Sequence, residues 1–453
     1  MRVLVVGAGY VGLATAVVFA QKHDVTVVEE NPKRVDKLRL GKIPFYEQDL
    51  QAFLNDSIAA QRFRAVTTDY EPMACDIVVV CVGTPPRNDG SVNLDNLSSA
   101  INDIKQNLNS LLDGYLTVVV RSTVPPGTTR ELVQRTFRNE YENGSVGIVF
   151  NPEFMRQGHA IADIQSPHRL IIGASDGKAA ETYLILYRSV LANKNTPILQ
   201  MSLESAELVK YASNCFLATK VSFANEIATI AEKIPEANID DVMKGVVADS
   251  RINPSHLRAG LGFGGTCLPK DLSGLISCGA AHDLPMDLLR AVDAVNRTAS
   301  RRLMAILNGN IMSLEGEKIA VLGLTFKSGT DDTRASQSIS LIRELLAARA
   351  KVAVHDPMAN EGTIDSDIRG FYTRYDDVLA CVQDASAVFL MTDWPIYKEL
   401  GLEKIVAPLK KKLVIDGRRM FAGVEIPSDV EYRCLGSHKS SSVDYQEIKP
   451  AVK

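Results

Sequence analysis

The chain has 453 residues, of which 46% are hydrophobic and 23% are charged, a profile of globular proteins with room for two or three domains. Its formal net charge of −4 provides no basic surface for nucleic acid or an anionic membrane, so neither is an expected partner. The apolar N-terminal stretch is too short for a secretory signal, and no later stretch approaches a membrane span. The seven cysteines show neither disulfide nor zinc spacing, so we expect a cytoplasmic protein without a metal.

The first predicted strand ends at a glycine-rich turn, and a packed helix follows it. The spacing Gly7, Gly9 and Gly12 is the dinucleotide-binding fingerprint, and Tyr10 and Val11 lie inside it as expected cofactor contacts. The glycines allow, in order, the tight turn, the approach of a pyrophosphate and close packing of helix on strand. A packing turn that binds no ligand is the alternative.

A second predicted strand ends in Glu29, at the distance from the turn that the fingerprint requires. A carboxylate there accepts hydrogen bonds from the adenosine ribose and repels a 2′-phosphate, which favours NAD over NADP. Lys33 and Arg34 are also assigned to this cofactor site, and their positive charge keeps NADP as the alternative.

Apolar runs at residues 77–82, 116–120 and 147–150 predict further strands of a buried parallel sheet. In doubly wound sheets ligands bind at the carboxyl ends of the strands, so the loops after these strands are expected to surround the nicotinamide and the substrate. From these loops, Thr123 and Glu153 are the residues singled out. For each of them, a connection that only turns the chain is the alternative.

Residues from about 204 to 233 predict one long helix that is apolar nearly all round, as expected for burial between domains or subunits. Lys210 and Asn214 are four residues apart and share one face of this helix. The lysine either extends to solvent or meets a polar site.

Cys267 follows a glycine-dense segment at residues 260–265 and precedes Leu268-Pro269-Lys270-Asp271. Proline favours the first turn of a helix, so the sequence predicts a loop that passes into a helix near Pro269. A thiol at the positive end of the helix dipole, beside Lys270, is expected to have a lowered pKa and to supply a nucleophilic thiolate. A buried structural cysteine is the alternative.

The strand and helix pattern then starts again, with predicted strands at residues 318–323, 351–356, 387–391 and 412–416. The turn after Gly323 lacks the triple-glycine spacing, so this second α/β domain is poorly suited to a pyrophosphate there. Its loops carry Lys327, Arg334, Arg418 and Arg419, a cationic set suited to the phosphates of a nucleotide substrate. Solvated surface charge is the alternative for each arginine.

Eight motifs are spread along nearly the whole chain. They are Gly7 to Leu13, Val82-Gly83-Thr84-Pro85, Ser122-Thr123-Val124-Pro125, Asn151-Pro152-Glu153-Phe154, Glu207 to Asn214, Gly262 to Asp271, Gly323 to Arg334 and Asp416-Gly417-Arg418-Arg419. With them the chain resembles the UDP-glucose and GDP-mannose 6-dehydrogenases. The resemblance implies an NAD-dependent, four-electron oxidation of a sugar C6 alcohol to a carboxylate, in which Cys267 captures the aldehyde as a thiohemiacetal that is oxidised to a thioester.

The resemblance also implies roles for other residues. Lys210 would stabilise the oxyanion, Asn214 would add a neutral donor, and Asp271 would assist proton removal and hydrolysis. Thr123 and Glu153 match positions that order the catalytic water, with Glu153 as a candidate acid or base, and capping is the alternative for Glu153 and Asp271. The cofactor site would further include Gly83, Thr84, Pro85, Ser122, Thr123, Lys270 and Arg334. The substrate site would include Glu153, Phe154, Lys210, Asn214, Arg251, Phe263, Gly264, Gly265, Lys327 and Arg418.

Gln157 departs from the pattern, because many relatives have an acid there and an amide cannot take up a proton. Arg251 matches an arginine that in relatives reaches into the partner subunit's pocket, so a homodimer or higher assembly is expected. UDP-glucose is the expected substrate, and GDP-mannose, UDP-galactose and UDP-N-acetylhexosamines are alternatives.

Together these features predict an α/β protein with two Rossmann-like doubly wound domains joined by a long central helix. The expected domains are residues 1–200 for NAD, 201–312 for the cysteine loop and dimer contacts, 313–436 for the UDP-sugar, and 437–453 as a flexible tail.

Two other classes of function were weighed. A nucleotide-sugar epimerase of the short-chain dehydrogenase type needs a Tyr and a Lys four apart in its cofactor domain, and the only such pair, Tyr445 and Lys449, lies in the tail. A non-catalytic nucleotide-sugar sensor would bind both ligands without needing the cysteine loop.

Overall fold

The computed structural model describes residues 1–68, 74–108 and 114–437. The chain divides into two compact units, residues 1–213 with 273–285, and residues 214–272 with those from 286 onward. The predicted tail lies outside the described residues except for Ser437, and so does the Tyr445 and Lys449 pair. Of the helices in the described ranges, none is both long enough and apolar enough to cross a membrane.

The first unit contains an eight-stranded sheet. Its strands are β1 (Arg2–Val6), β2 (Asp24–Val28), β3 (Phe63–Val66), β4 (Ile77–Val80), β5 (Leu116–Val120), β6 (Val146–Phe150), β7 (Leu170–Ala174) and β8 (Ile198–Met201). The order is β3-β2-β1-β4-β5-β6-β7-β8, and β7 runs antiparallel to β6. The first six strands follow the doubly wound dinucleotide-binding order, which confirms the predicted fold.

Helices cover both faces of this sheet. They are α1 (Tyr10–Phe19), α2 (Pro32–Arg39), α3 (Leu50–Ala59), α4 (Asp95–Leu108), α5 (Thr128–Thr136), α6 (Arg138–Glu142), α7 (Ala160–Gln165) and α8 (Gly177–Val190). Successive strand residues serve opposite faces: Val3 and Val5 pack in one hydrophobic cluster and Leu4 in the other. The strands are therefore buried on both faces. The loops that follow β1, β4, β5 and β6 lie together at the carboxyl edge of the sheet and are anchored by these buried strands.

The second unit begins within a long helix. Helix α9 (Leu203–Ala231) is continuous over 29 residues, as predicted, and is followed by α10 (Ile239–Val247), α11 (Leu268–Ala280), α12 (Asp287–Arg297) and α13 (Ala299–Asn310). Helix α11 begins at Leu268, one residue from the predicted start. Cys267 therefore directly precedes a helix.

A six-stranded parallel sheet completes the second unit. Its strands are β9 (Lys318–Leu322), β10 (Lys351–His355), β11 (Thr373–Arg374), β12 (Ala387–Leu390), β13 (Leu413–Asp416) and β14 (Glu431–Cys434), in the order β11-β10-β9-β12-β13-β14. The accompanying helices are α14 (Gln337–Ala347), α15 (Val378–Val382), α16 (Pro395–Leu400) and α17 (Leu402–Val406), with one 3-10 turn at Glu361–Thr363. This is the same strand order as in the first six strands of the other sheet, so the predicted second doubly wound domain is confirmed.

Candidate active site

The glycine turn after β1 has the geometry that a pyrophosphate requires. Gly7 has φ +97°, and a Cβ on it would lie 2.9 Å from the Cys81 carbonyl oxygen. A Cβ on Gly12 would lie 1.9 Å from the Gly7 carbonyl oxygen, whereas a Cβ on Gly9 would meet nothing within 4 Å. Gly7 and Gly12 are thus required for packing, and Gly9 faces open space at the N-terminus of α1, where a helix favours an anion. The residues fit an NAD pyrophosphate.

Glu29 lies at the end of β2 and is almost fully buried. Its carboxylate accepts hydrogen bonds from the Ala8 N–H at 2.9 Å and the Asn31 N–H at 3.1 Å. A guanidinium nitrogen of Arg34 lies 3.5 Å from the same carboxylate, and the Lys33 N–H caps onto Asn31 at the start of α2. The predicted cofactor residues at this end of the sheet therefore form one connected group.

The loops after β4 and β5 are joined by hydrogen bonds. The Thr84 hydroxyl donates to the Thr123 carbonyl at 2.8 Å, and the Ser122 hydroxyl donates to the Val82 carbonyl at 2.7 Å. A Cβ on Gly83 would meet nothing within 4 Å, so the backbone between these loops is open to a ligand. The structure thus brings these predicted residues together.

Glu153 and Lys210 form a buried ion pair in the first unit. The Lys210 ammonium donates to the Glu153 carboxylate at 2.8 Å and to the Glu153 carbonyl at 2.6 Å. Burial alone would raise the pKa of Glu153, but the charge of Lys210, its hydrogen bond and the Met155 N–H outweigh burial and hold that pKa below its ordinary value. Lys210 therefore meets a polar site, so the alternative that it extends to solvent is wrong.

Two cationic side chains lie near the ring of Phe154. The Lys210 ammonium lies 5.3 Å and the Arg169 guanidinium 4.3 Å from the ring centroid. Such contacts stabilise the cations and orient the ring. Gln157 lies half-buried further along the same loop, before α7.

Cys267 is exposed and lies directly before α11, where its carbonyl accepts the Asp271 N–H at 2.9 Å. The interpretation as a buried structural cysteine is therefore wrong. Three other cysteines, Cys81, Cys215 and Cys381, are buried, and burial raises the pKa of each to about 12. Among these four, only Cys267 has the accessibility that a nucleophile needs.

Asp271 lies four residues after Cys267 in the first turn of α11 and is almost fully buried. The Asn214 amide donates to its carboxylate at 2.6 Å, and the Lys270 ammonium donates at 2.5 Å. Asn214 and Asp271, each predicted separately as a site residue, are thus in direct contact. Lys270, assigned to the cofactor from sequence, is held against Asp271.

The glycine-dense segment before Cys267 is packed against other parts of the second unit. Gly262 has φ +80°, and a Cβ there would lie 2.2 Å from the Asn296 side-chain oxygen. A Cβ on Gly264 would lie 2.4 Å from the Ala335 carbonyl oxygen, and one on Gly265 would lie 2.9 Å from the Phe326 ring. The Phe263 N–H donates to Asn296 at 2.8 Å. Gly262 therefore allows close approach to α12, and Gly264 and Gly265 allow close approach to the loop after β9.

The cationic set of the second unit is largely paired within the protein. Arg334 forms an ion pair with Asp332 at 2.7 Å, and the Lys327 ammonium lies 5.9 Å from the Phe326 ring centroid. Arg418 donates to the carbonyls of Met391 at 2.8 Å and Phe326 at 2.6 Å. Burial lowers the pKa of Arg418 from its ordinary value. Arg418 therefore fixes the loop after β9.

Two further arginines differ in burial. Arg419 donates to Asp240, Asn238 and the Leu435 carbonyl, and its side chain is buried, so the surface-charge interpretation is wrong for it. Arg251 is 86% exposed and pairs with Asp249 at 2.5 Å. Within one chain, Arg251 is therefore at the surface.

Sequence analysis missed several buried residues that hold the loops. Glu207 on α9 accepts hydrogen bonds from the N–H groups of Gly127 and Thr129 at the start of α5, at 2.6 and 2.8 Å. Arg121, at the end of β5, is buried against Asn151 and Tyr183. In the sequence, Arg121 could have been noticed because it is a charged residue directly after an apolar strand. Among the described residues, no cluster of three or more His, Cys, Asp or Glu could hold a metal.

Comparison with known proteins gives matches along most of the chain. Residues 1–191, 204–298 and 320–423 match the NAD binding, central and UDP binding domains of the UDP-glucose/GDP-mannose dehydrogenase family. The chain is 37% identical over 436 residues to a UDP-glucose 6-dehydrogenase of Rhizobium meliloti, covering 94% of this chain and 97% of that protein. It is 36% identical over 429 residues to the UDP-glucose 6-dehydrogenase TuaD of Bacillus subtilis, covering 93% and 90%.

Solved structures give the same result. A UDP-glucose dehydrogenase from Pyrobaculum islandicum matches with a TM-score of 0.85 at 37% identity, covering 92% of this chain and 94% of that one. A UDP-D-ManNAc dehydrogenase from Pyrococcus horikoshii matches with a TM-score of 0.84 at 27% identity, covering 98% and 100%.

Proposed function

Because the chain belongs to the UDP-glucose/GDP-mannose dehydrogenase family and carries its NAD binding domain, we propose that it oxidises UDP-glucose at C6 to UDP-glucuronate. The coarser activity, an NAD-dependent nucleotide-sugar 6-dehydrogenase, follows from the family and its relatives. The observation that carries the proposed chemistry is the exposed Cys267 at the start of α11, with the buried Asp271 in its first turn.

The chemistry needs a nucleophile that can be released again. Oxidation of the C6 alcohol removes a hydride and a proton and leaves an aldehyde, which the Cys267 thiolate attacks to form a thiohemiacetal. Loss of a second hydride from C6, with loss of the thiohemiacetal hydroxyl proton, gives a thioester, and water then releases the carboxylate and regenerates the thiol. When bound, NAD accepts the hydride in each oxidation. No free aldehyde leaves the enzyme, because the bond between C6 and the Cys267 sulfur forms before the second oxidation.

Four other residues have distinct proposed roles. Lys210 supplies a fixed positive charge for the oxyanion, since its ammonium is buried and held on Glu153. A lowered pKa keeps Glu153 ionised at neutral pH, so it suits a general base for the hydrolytic water better than an acid. Asp271, ordered by Asn214, would take part in proton removal.

UDP-glucose is proposed over other nucleotide sugars because the relatives at 36–37% identity are named UDP-glucose 6-dehydrogenases. Relatives that act on UDP-ManNAc match at 25–27% identity, so a UDP-N-acetylhexosamine is the main competing substrate. GDP-mannose and UDP-galactose remain alternatives. A cytoplasmic location remains the prediction from sequence.

A homodimer is part of the proposal. Phe216, Phe223 and Ile230 recur every seven residues on α9 and are 65%, 47% and 53% exposed in the single chain. Large apolar side chains in one stripe favour burial against another chain. The exposed Arg251, from the same unit, would reach a second copy, as the family resemblance implies. Light scattering on Phe223→Asp should report a smaller species than the wild type.

The test is the amount of NADH formed per UDP-glucose consumed, which we expect to be two. A ratio of one would mean that the reaction stops at the aldehyde and would refute the thioester step. Replacement of Cys267 by Ser should lower net turnover by at least about a thousandfold, because the nucleophile is lost. Binding of NAD and UDP-glucose, measured by calorimetry, should stay within about twofold, since Cys267 is not needed for affinity. Unchanged turnover in that variant would favour a different chemistry.

A further inference from the structure

Arg121 is a buried cation directly after β5. Its guanidinium donates to the Asn151 side-chain oxygen and, at 3.1 Å, to the Tyr183 hydroxyl. The Tyr183 hydroxyl donates to the same Asn151 oxygen at 2.7 Å, and the Asn151 amide donates to the Ile171 carbonyl at 2.7 Å. The three side chains form one closed network inside the first unit.

If Arg121 only filled space in the core, burial of its charge would be energetically unfavourable. Arg121 is only 2% exposed, and within the described ranges no carboxylate lies within ion-pair distance of it. Its Nε atom has no hydrogen-bond partner among the described residues. A buried charge without a paired carboxylate is unfavourable, and an apolar side chain of similar size would fill the same space more cheaply. The positive charge therefore calls for a function.

Glu153 is the buried carboxylate that this charge acts on. It lies two residues after Asn151, which Arg121 holds. Lys210 of α9 contacts the Glu153 carboxylate at 2.8 Å, and the charge of Arg121, directly after β5, also acts on it. The charge of Glu153 in turn acts on Cys81, directly after β4, and on Tyr187 of α8. Burial raises the pKa of Cys81 to about 12 and raises that of Tyr187, so both are neutral near pH 7. The charged groups of this set near pH 7 are therefore the two cations, Lys210 and Arg121, and the Glu153 carboxylate.

We propose that Arg121 is a positioning residue for Glu153, because it fixes the loop of Glu153 through Asn151 and supplies a second buried positive charge to its carboxylate. Lys210 can then turn toward the oxyanion of the substrate while Arg121 still favours the ionised carboxylate. These separate roles of Lys210 and Arg121 rest on the proposed function, in which Glu153 acts as a base and Lys210 stabilises the oxyanion.

The pH profile of kcat separates this role from a structural one. In Arg121→Met the carboxylate loses a cation, so its pKa rises, and the acidic limb of the profile should move up by about one pH unit. On that limb kcat should therefore be about tenfold lower than in the wild type at the same pH, whereas at neutral pH, where Glu153 stays ionised, kcat and the KM for NAD should each change by about twofold or less. Arg121→Lys keeps the charge, so its acidic limb should stay near the wild-type position.

Tyr183→Phe is the matched control, because it removes a hydrogen bond from the same network and leaves the charge. It should lower the thermal midpoint without moving the acidic limb. An unmoved limb in a folded Arg121→Met would overturn the proposal, and so would an equal shift in Tyr183→Phe.

If Arg121→Met does not fold, Asn151→Asp gives a second test. The new carboxylate would pair with Arg121 and neutralise its charge without removing it, so the acidic limb should again move to higher pH. No movement would overturn the proposal. Any nucleotide sugar that the enzyme oxidises can be used, so failure with UDP-glucose itself would contradict the proposed substrate and leave the role of Arg121 testable.

Discussion

The turn after β1 and the turn after β9 occupy the same place in two sheets of the same strand order, but they use their backbone N–H groups differently. In both, the first glycine has a positive φ and donates to the end of the second strand, Gly7 to Val28 and Gly323 to His355, each at 2.8 Å. After Gly7, helix α1 begins within three residues, at Tyr10. After Gly323, helix α14 begins only at Gln337.

The acid that follows the second strand shows the same difference. Glu29 accepts one N–H from the glycine turn, that of Ala8. Asp356 accepts the N–H groups of Leu324 and Thr325 at 2.7 and 3.0 Å, and also the Trp394 indole at 3.1 Å. In the second turn, the backbone N–H donors are thus already hydrogen-bonded to a carboxylate of the protein, that of Asp356. The first turn leaves its helix N-terminus for a phosphate, whereas the second is closed and carries a long loop instead.

That long loop has acquired another role. Its residues Phe326, Arg334 and Ala335 pack against Gly264 and Gly265, and the Gly265 N–H donates to the Arg334 carbonyl at 3.1 Å. The second sheet therefore supports the cysteine segment of its own unit with the part of the fold that corresponds to the glycine turn of the first sheet. The same scaffold would thus serve pyrophosphate binding in one unit and positioning of the proposed nucleophile in the other.

The largest expected effect is on stability, from loss of the acid that closes the second turn. Asp356→Ala leaves several buried donors unpaired and should lower the free energy of unfolding by about 3–5 kcal/mol. The matched variant, Glu29→Ala, should cost about 1–2 kcal/mol but weaken NAD binding about tenfold, with UDP-sugar binding unchanged. Urea unfolding and calorimetry measure both. Equal loss of NAD and UDP-sugar binding in Glu29→Ala would place Glu29 outside the cofactor site.

A smaller effect is expected from the open glycine of the first turn. Gly9→Ala adds a methyl group where nothing lies within 4 Å, so the thermal midpoint should stay within about 2 °C, but the methyl would crowd a bound pyrophosphate and raise the Kd for NAD about tenfold. Gly12→Ala is the comparison, because its Cβ would lie 1.9 Å from the Gly7 carbonyl and should destabilise the fold itself. If Gly9→Ala bound NAD like the wild type, the pyrophosphate would have to lie elsewhere.

The sequence predicted the features of this comparison that depend on local pattern. Apolar runs marked the central strands, and Pro269 marked the start of α11. Strands β8 and β14 were missed because they lie at sheet edges and are only partly buried, so they lack an apolar run. Arg121 was missed because its partners lie 30 and 62 residues away, and a charged residue after a strand predicts only a loop. Likewise, the positive charge of Arg418 was evident, but its carbonyl partners were not.

The smallest effect concerns cofactor choice in the first turn. Arg34 lies 3.5 Å from the Glu29 carboxylate, but its side chain is 48% exposed, so the ion pair is screened by water and should contribute at most about 0.5 kcal/mol. Arg34→Ala should therefore change the KM for NAD by about twofold or less. Activity with NADP should fall further, because Arg34 is a positive charge near the expected position of a 2′-phosphate. Steady-state rates with both cofactors measure the ratio. Since Glu29 repels that phosphate while Arg34 attracts it, Glu29→Ser should raise the preference for NADP, and a double variant that restored the wild-type ratio would show that the two charges act on the same group.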